Sequence, residues 1–248
     1  MSVNACARIV KEGDPDRFLA AMAAPVDARR VLFPLYALNI EVSRAPWLTQ
    51  ESMIAEMRLQ WWRDVLTEIR EGGVVRRHEV VDAVAEVLDA DGAAALDGLV
   101  ELRRWDIYKE PFEDDAHFWS YLDETAGNLM WISARALGAK DEAAIRAYAR
   151  MHGLANWFLA VPELEARGRM PLPDGRPEAV AALARTALEG VRGLRFEKAA
   201  QPALLAGWQA RSLLMQVVDH PARVAAGALG LSPIGKRLRL IKQSVFGE

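Results

Sequence analysis

The chain has 248 residues, 52% of them hydrophobic and 26% charged, with a formal net charge of −3. These are the proportions of a globular protein with a sizeable core, not of a disordered chain or a repeat array, and the charge gives no electrostatic reason to expect a nucleic-acid partner. Cys6 is the one cysteine, which excludes an intrachain disulfide or a paired-cysteine metal site and suits a reducing compartment. Charge-free runs such as 151–162 and 224–235 reach 12 residues, short of the roughly 20 a bilayer span needs. A protein that is not integral to a membrane, in a reducing cytoplasmic compartment, is therefore expected. Arginine outnumbers lysine 25 to 6, a bias that points to a GC-rich bacterial genome.

Helical periodicity dominates. Asp14-Pro15 reads as a cap and first-turn proline for a short helix to about residue 23. Asp27 opens a second helix to about 45, which Pro34 is expected to kink or restart. From Thr49, a plausible N-cap, to the stop at Gly72-Gly73, residues Met53, Met57, Trp61, Val65 and Ile69 recur every four positions and predict one broad apolar face. Further helices are predicted at about 78–90, 93–104, 115–137, 141–161, 177–198 and 202–218. The longest loop signal is 168–177. Helices on both sides of it are alike, so residues 1–248 read as one all-α domain.

Several segments carry a resemblance. Tyr36-Ala37-Leu38-Asn39-Ile40-Glu41-Val42-Ser43-Arg44-Ala45-Pro46-Trp47 is similar to the first signature helix of squalene and phytoene synthases, roughly Tyr-Ala-Phe-Cys-Arg-x-x-Asp-Asp-x-x-Asp. Trp61-Trp62-Arg63 resembles the family's Trp-Arg helix, and Tyr121 to Ala126-Gly127 its Tyr-x-x-x-x-Ala-Gly stretch, where small residues let helices approach closely. The stretch Gly153 to Leu164 resembles the second signature, Gln-Leu-Thr-Asn-Ile-x-Arg-Asp-Val-x-Glu-Asp. Gly168-Arg169 with Leu172-Pro173 resembles the Gly-Arg-x-Tyr-Leu-Pro that follows. The order and spacing of these segments are more specific than any one of them. The resemblance implies a single-domain isoprenoid-synthase-like bundle of antiparallel helices around a central cavity.

It also implies a chemical question. In the family the signature aspartates hold magnesium ions that grip a prenyl diphosphate. Carboxylates one helical turn apart share a face, and magnesium between them and phosphate oxygens neutralises the charge of the leaving group. Here those positions are Ser43, Arg44 and Trp47 in the first signature and Ala160 and Leu164 in the second. Glu41, Asn156 and Glu163 survive nearby. With Arg63 and Arg169 they make a candidate residual polar site, for which helix-surface roles and structural salt bridges are the plainer reading.

Trp61-Trp62-Arg63 and Val161-Pro162 look most like the non-catalytic branch of the family, which includes a mitochondrial complex I assembly factor. The leading expectation is a pseudoenzyme with no catalytic residue, no metal and no cofactor, acting as an assembly or scaffold protein on a client such as a respiratory complex subunit. One alternative is a head-to-head prenyl diphosphate synthase with an altered diphosphate site, which would need magnesium. Another is a module that binds an isoprenoid lipid, with Trp131, Trp157 and Trp208 as candidate cavity walls.

Other chemistry finds no motif. His78, His117, His152 and His220 lack metal-ligand spacing, and neither a Gly-x-Ser-x-Gly elbow nor a phosphate-binding glycine loop occurs. The segment 234–248 mixes Lys236, Arg237, Arg239 and Lys242 with Leu238, Ile241, Val245 and Phe246. It reads either as an amphipathic segment for an anionic membrane surface or as a solvated helix packing its leucines on the domain.

Overall fold

The computed structural model describes residues 3–108 and 110–246, with side chains as far as Ser244. Every regular element among them is helical. The first six are α1 (Val3–Gly13), α2 (Pro15–Ala23), α3 (Val26–Arg44), α4 (Ser52–Glu71), α5 (Val81–Ala85) and α6 (Ala90–Leu102). Then come α7 (Trp105–Tyr108), α8 (Asp115–Leu122), α9 (Asn128–Ala136), α10 (Glu142–Ala166), α11 (Pro177–Gly190), α12 (Gln201–Leu204), α13 (Ala210–Asp219) and α14 (Pro233–Phe246).

Local signals explain several boundaries. Asp14 caps α2 by accepting the Arg17 N–H at 2.9 Å, with Pro15 in the first turn. Gly72 ends α4 in the left-handed region at φ 66°. Other boundaries correct the sequence reading. Helix α1 was not foreseen. Helix α3 passes through Pro34 without restarting, because the buried side chains of Leu32, Phe33, Leu35 and Leu38 hold the backbone on both sides. Thr49 is not the cap of α4; its hydroxyl accepts from Glu51 N–H at 3.1 Å, and the helix starts after Glu51. The helix expected at 78–90 shrinks to α5, since Asp89 caps α6 by accepting Gly92 N–H at 2.8 Å. Helix α10 continues through Pro162, α11 stops at Gly190, and a 3-10 turn at Leu205–Gly207 separates α12 from α13.

The apolar face of α4 is also rotated from the expected one. Ala55, Leu59, Trp62, Val65 and Leu66 are buried while Met53 and Met57 are exposed. Helix α6 lies on this face and is fastened there by Arg63, which donates to Asp97 at 2.8 and 3.0 Å and also to Glu101.

The predicted helix 115–137 is continuous but changes pitch. Asp123–Gly127 forms a π-helical turn between α8 and α9, in which Thr125 Oγ1 donates to Tyr121 O at 2.6 Å. The turn aims Asp123 at α10, where Arg146 and Arg150 both donate to its carboxylate at 3.1 Å. It also brings Ala126 against Gly153, where an added Cβ would lie 2.7 Å from the Ala126 methyl. The turn and α10 approach this closely because Gly153 has no side chain.

Two apolar clusters fill the interior. Leu32, Leu35, Leu59 and Leu96 belong to one, and Phe118, Leu154, Phe158 and Leu214 to the other. Burying each such side chain contributes about 1.5–3 kcal/mol. Tyr148 of α10 packs against both clusters, so α10 is the element on which the two halves of the bundle meet. That places the buried faces of the two signature segments, on α3 and α10, in the interior.

Candidate functional site

Arg17 of α2 joins the two signature helices. Its guanidinium lies 5.1 Å from the centre of the Tyr36 ring on α3, and its Nη2 is 3.4 Å from His152 Nε2 on α10. Asp14 pairs with the same guanidinium at 3.3 Å. One turn beyond His152, Asn156 Nδ2 stands 3.2 Å from the same Nε2. Burial, and then the Arg17 cation, push the His152 pKa down to about 3, so the imidazole is neutral and Nε2 serves as acceptor. Asp14, Arg17, His152 and Asn156 line a cleft of about 360 Å³, with Ala160 and Gln209 also in its wall.

The C-terminal ends of the same two helices meet at Trp47. Two guanidinium groups that follow α10 lie over its indole, Arg167 at 4.5 Å and Arg169 at 4.9 Å from the ring centre. Arg169 also lies 4.8 Å over Trp105 and donates to the carbonyls of Trp105, at 3.1 Å, and of Asp106. Beneath them Arg103 donates to Tyr121 Oη at 3.2 Å and to Asp106 at 3.4 Å. Burial pushes the Asp106 carboxyl above its usual range against the pull of Arg103 and Arg169, and burial likewise holds Tyr121 neutral. Trp105, Phe112, Tyr121 and Trp157 close the base as a ring cluster, with the Trp157 N–H donating to Pro171 O at 2.7 Å. A cleft of about 640 Å³ opens beside Trp47, Asp106 and Arg167.

A family model described as squalene/phytoene synthase matches residues 10–239. The chain belongs to the squalene/phytoene synthase family. Its fold overlays a crystal structure of a dehydrosqualene synthase with a TM-score of 0.76 at 18% identity, covering 98% of this chain and 95% of that one. In sequence it is 28% identical over 176 residues to a Drosophila melanogaster homolog of NADH dehydrogenase (ubiquinone) complex I, assembly factor 6, and 21% identical over 172 residues to the Homo sapiens assembly factor 6. Those alignments take in 67% and 68% of this chain and 52% of each relative. The chain thus spans about half the length of the curated relatives it matches.

The family positions read from the sequence are distributed unevenly. Asn156 and Ala160 lie in the Arg17 cleft. Trp47 and Arg169 are in ring contact at the other end, and Leu164, whose carbonyl accepts Arg169 N–H at 3.0 Å, is buried in the second apolar cluster. Ser43 donates to its own helix, at Ile40 O, 3.1 Å. Arg44 is exposed and lies against the C-terminal Gly13 of α1, where a Cβ would be 3.1 Å from its Nη2. Glu41 is half-buried on α3, and Glu163 is exposed and pairs with Arg167 at 2.5 Å. Arg63 belongs to the α4–α6 contact, away from both clefts. Trp208 is buried in the first apolar cluster and Trp131 packs partly buried against it.

Magnesium is held by oxygen ligands, and the five family signature positions carry no carboxylate. Indole, methyl and isobutyl groups stand at Trp47, Ala160 and Leu164, the Ser43 hydroxyl is engaged, and guanidinium groups sit at both ends of the signature helices. Among the described residues no group of three or more His, Cys, Asp or Glu side chains is arranged to hold a metal ion. The residues that organise the site instead are Arg17, His152, Arg103 and Asp106. Sequence reasoning singled out none of them for the site, and the one available signal was the spacing of His152 and Asn156 by one helical turn.

Proposed function

We propose that this chain is a non-catalytic member of its family that assists assembly of a respiratory complex of the complex I type, working at a membrane surface through a protein client. The observation that carries the proposal is the Trp47 stack. Where a synthase needs carboxylates to hold magnesium against a departing diphosphate, an indole here contacts the guanidinium groups of Arg167 and Arg169. Without metal-neutralised phosphate, ionisation to an allylic cation loses its main electrostatic support. The family signatures then act as packing surfaces: Tyr36, His152 and Trp47 join helices through cation–π and hydrogen-bond contacts instead of positioning a substrate. The client assignment is supported by the similarity to complex I assembly factor 6 and its homolog.

Two measurements test it. Purified protein incubated with farnesyl or geranylgeranyl diphosphate and magnesium should give no condensation product above a protein-free control. Turnover lost in Glu41→Gln or Glu163→Gln would establish the altered-site synthase instead. Deletion of the gene should lower assembled complex I on native gels while leaving carotenoid and hopanoid content unchanged. Normal complex I with altered isoprenoid products would overturn the assembly role, and recovery of a bound isoprenoid from purified protein would favour the lipid-binding module.

A further inference from the structure

Helix α14 is packed inside out. A surface helix normally turns its apolar stripe to the core and its charges to water. Here the side that holds α14 to the bundle is largely polar. Lys236 pairs with Asp16 of α2 at 2.8 Å, and Gln243 is buried and donates to Tyr148 Oη at 2.8 Å and to Leu204 O at 3.4 Å. Among the described side chains of α14, Leu240 alone adds apolar packing on this side. Ile234, Leu238 and Ile241 point the other way and are 71%, 63% and 59% exposed.

Their spacing, four and then three residues, makes them one continuous stripe. At 100° per residue, Arg237 falls on one side of that stripe and Lys242 and Arg239 on the other, and all three are exposed. No acidic residue occurs between Pro233 and Phe246, although the chain as a whole is net negative. Ser232 fixes the start of the helix by accepting Gly235 N–H at 3.1 Å. The described part of the 234–248 segment is thus helical; the side chains of Val245 and Phe246 and residues 247–248 lie outside the described residues.

We propose that α14 is a surface for an anionic membrane, on which it lies parallel to the bilayer plane. Charge complementarity selects the occupant. An aliphatic ridge with cations along both edges matches a flat surface of anionic headgroups over hydrocarbon, into which the stripe inserts while the guanidinium and ammonium groups remain among phosphates. No helix among the described residues is long and apolar enough to cross a membrane, so attachment is in-plane. Helix α2, on which α14 packs, itself carries two exposed apolar side chains, Leu19 and Met22. The proposal goes beyond the assembly role and stands without it, because a vesicle assay contains no client.

The experiment is co-sedimentation of the full chain with vesicles of phosphatidylcholine containing 30% phosphatidylglycerol, against pure phosphatidylcholine vesicles. Binding should require the anionic lipid and weaken with added salt. Arg237→Gln with Arg239→Gln should lower the partition coefficient by about fivefold per residue, and Ile234→Ser, Leu238→Ser and Ile241→Ser together by about tenfold or more. The exposed control pair Met53→Ser and Met57→Ser should bind like the parent. Unchanged far-UV circular dichroism identifies loss of the surface rather than of the fold. Equal partition of parent and triple variant, or no sedimentation of the parent with either vesicle, overturns the proposal; the second result, with loss of a protein client in the triple variant, would assign the stripe to a protein groove.

Discussion

Acid should destabilise this protein through His152 in a way that can be isolated. The imidazole is buried, neutral and in contact with Arg17, and its folded pKa of about 3 lies well below the ordinary 6.5. A base with a depressed folded pKa contributes stability that is full above its unfolded pKa. That stability is lost as pH falls below 6.5, because the unfolded chain binds a proton that the folded chain refuses until near pH 3. Between pH 6.5 and 5.0 the linkage relation gives a loss of about 1.6 kcal/mol from this one group, approaching about 1.4 kcal/mol per further pH unit down to about 3. Carboxylates also respond to acid, so the measurement is a difference. Urea unfolding of the parent and of His152→Gln is followed at several pH values from 7.5 to 4.5. Glutamine offers a carbonyl oxygen to Arg17 and does not titrate. The gap between the two stabilities should shrink, or change sign in favour of glutamine, by about 1.6 kcal/mol from pH 6.5 to 5.0. Parallel pH profiles would show that His152 is not held neutral and would refute the electrostatic account of the Arg17 cleft.

Three other perturbations follow from particular contacts. Gly153→Ala places a methyl 2.7 Å from Ala126 and should cost about 1–3 kcal/mol by denaturant midpoint, as overpacking does, with Ala126→Gly in the same chain recovering part of the loss. Trp47→Ala removes both guanidinium stacks and should lower stability by about 2 kcal/mol, whereas Trp47→Phe should keep part of it; an unchanged thermal midpoint for the alanine variant would dismiss the stack. Arg63→Lys cannot reproduce the fork that reaches Asp97 and Glu101 and should cost about 1 kcal/mol, more at low than at high salt.

The helical class and most helix positions were legible because apolar periodicity and caps such as Asp14 are local properties. Breaks that depend on a distant neighbour were not legible. Nothing around Gly207 says that Tyr148 must fit over it, where a Cβ would be 2.5 Å from the ring, and nothing within α4 says that α6 will cover Leu59 and leave Met53 in water. Proline was over-weighted at Pro34, which sits inside a helix held by buried neighbours. At the candidate site the positions that match the family signatures could be named from the resemblance. Their new partners could not, since Trp47 and Arg169 are 122 positions apart and stacking leaves no periodic trace. The orientation of α14 was open for a similar reason: an amphipathic pattern identifies the two faces but not which of them the rest of the chain will accept.

The π-helical turn at Asp123–Gly127 sets a phase. Successive residues of an α-helix are displaced by about 100°, and a π turn holds one residue more than the α turn it replaces. Upstream of it Tyr121 points at Arg103; downstream Asn128 donates to Ala95 O at 3.0 Å and accepts from Arg146 at 2.8 Å. Both alignments hold only with the extra residue present. Removing one residue between 123 and 127 would regularise the helix and at the same time turn every side chain of α9 by about a quarter-turn relative to α8. This short stretch should therefore tolerate substitution at exposed Glu124 far better than any change of length, so that insertions and deletions, not polarity, mark its limits.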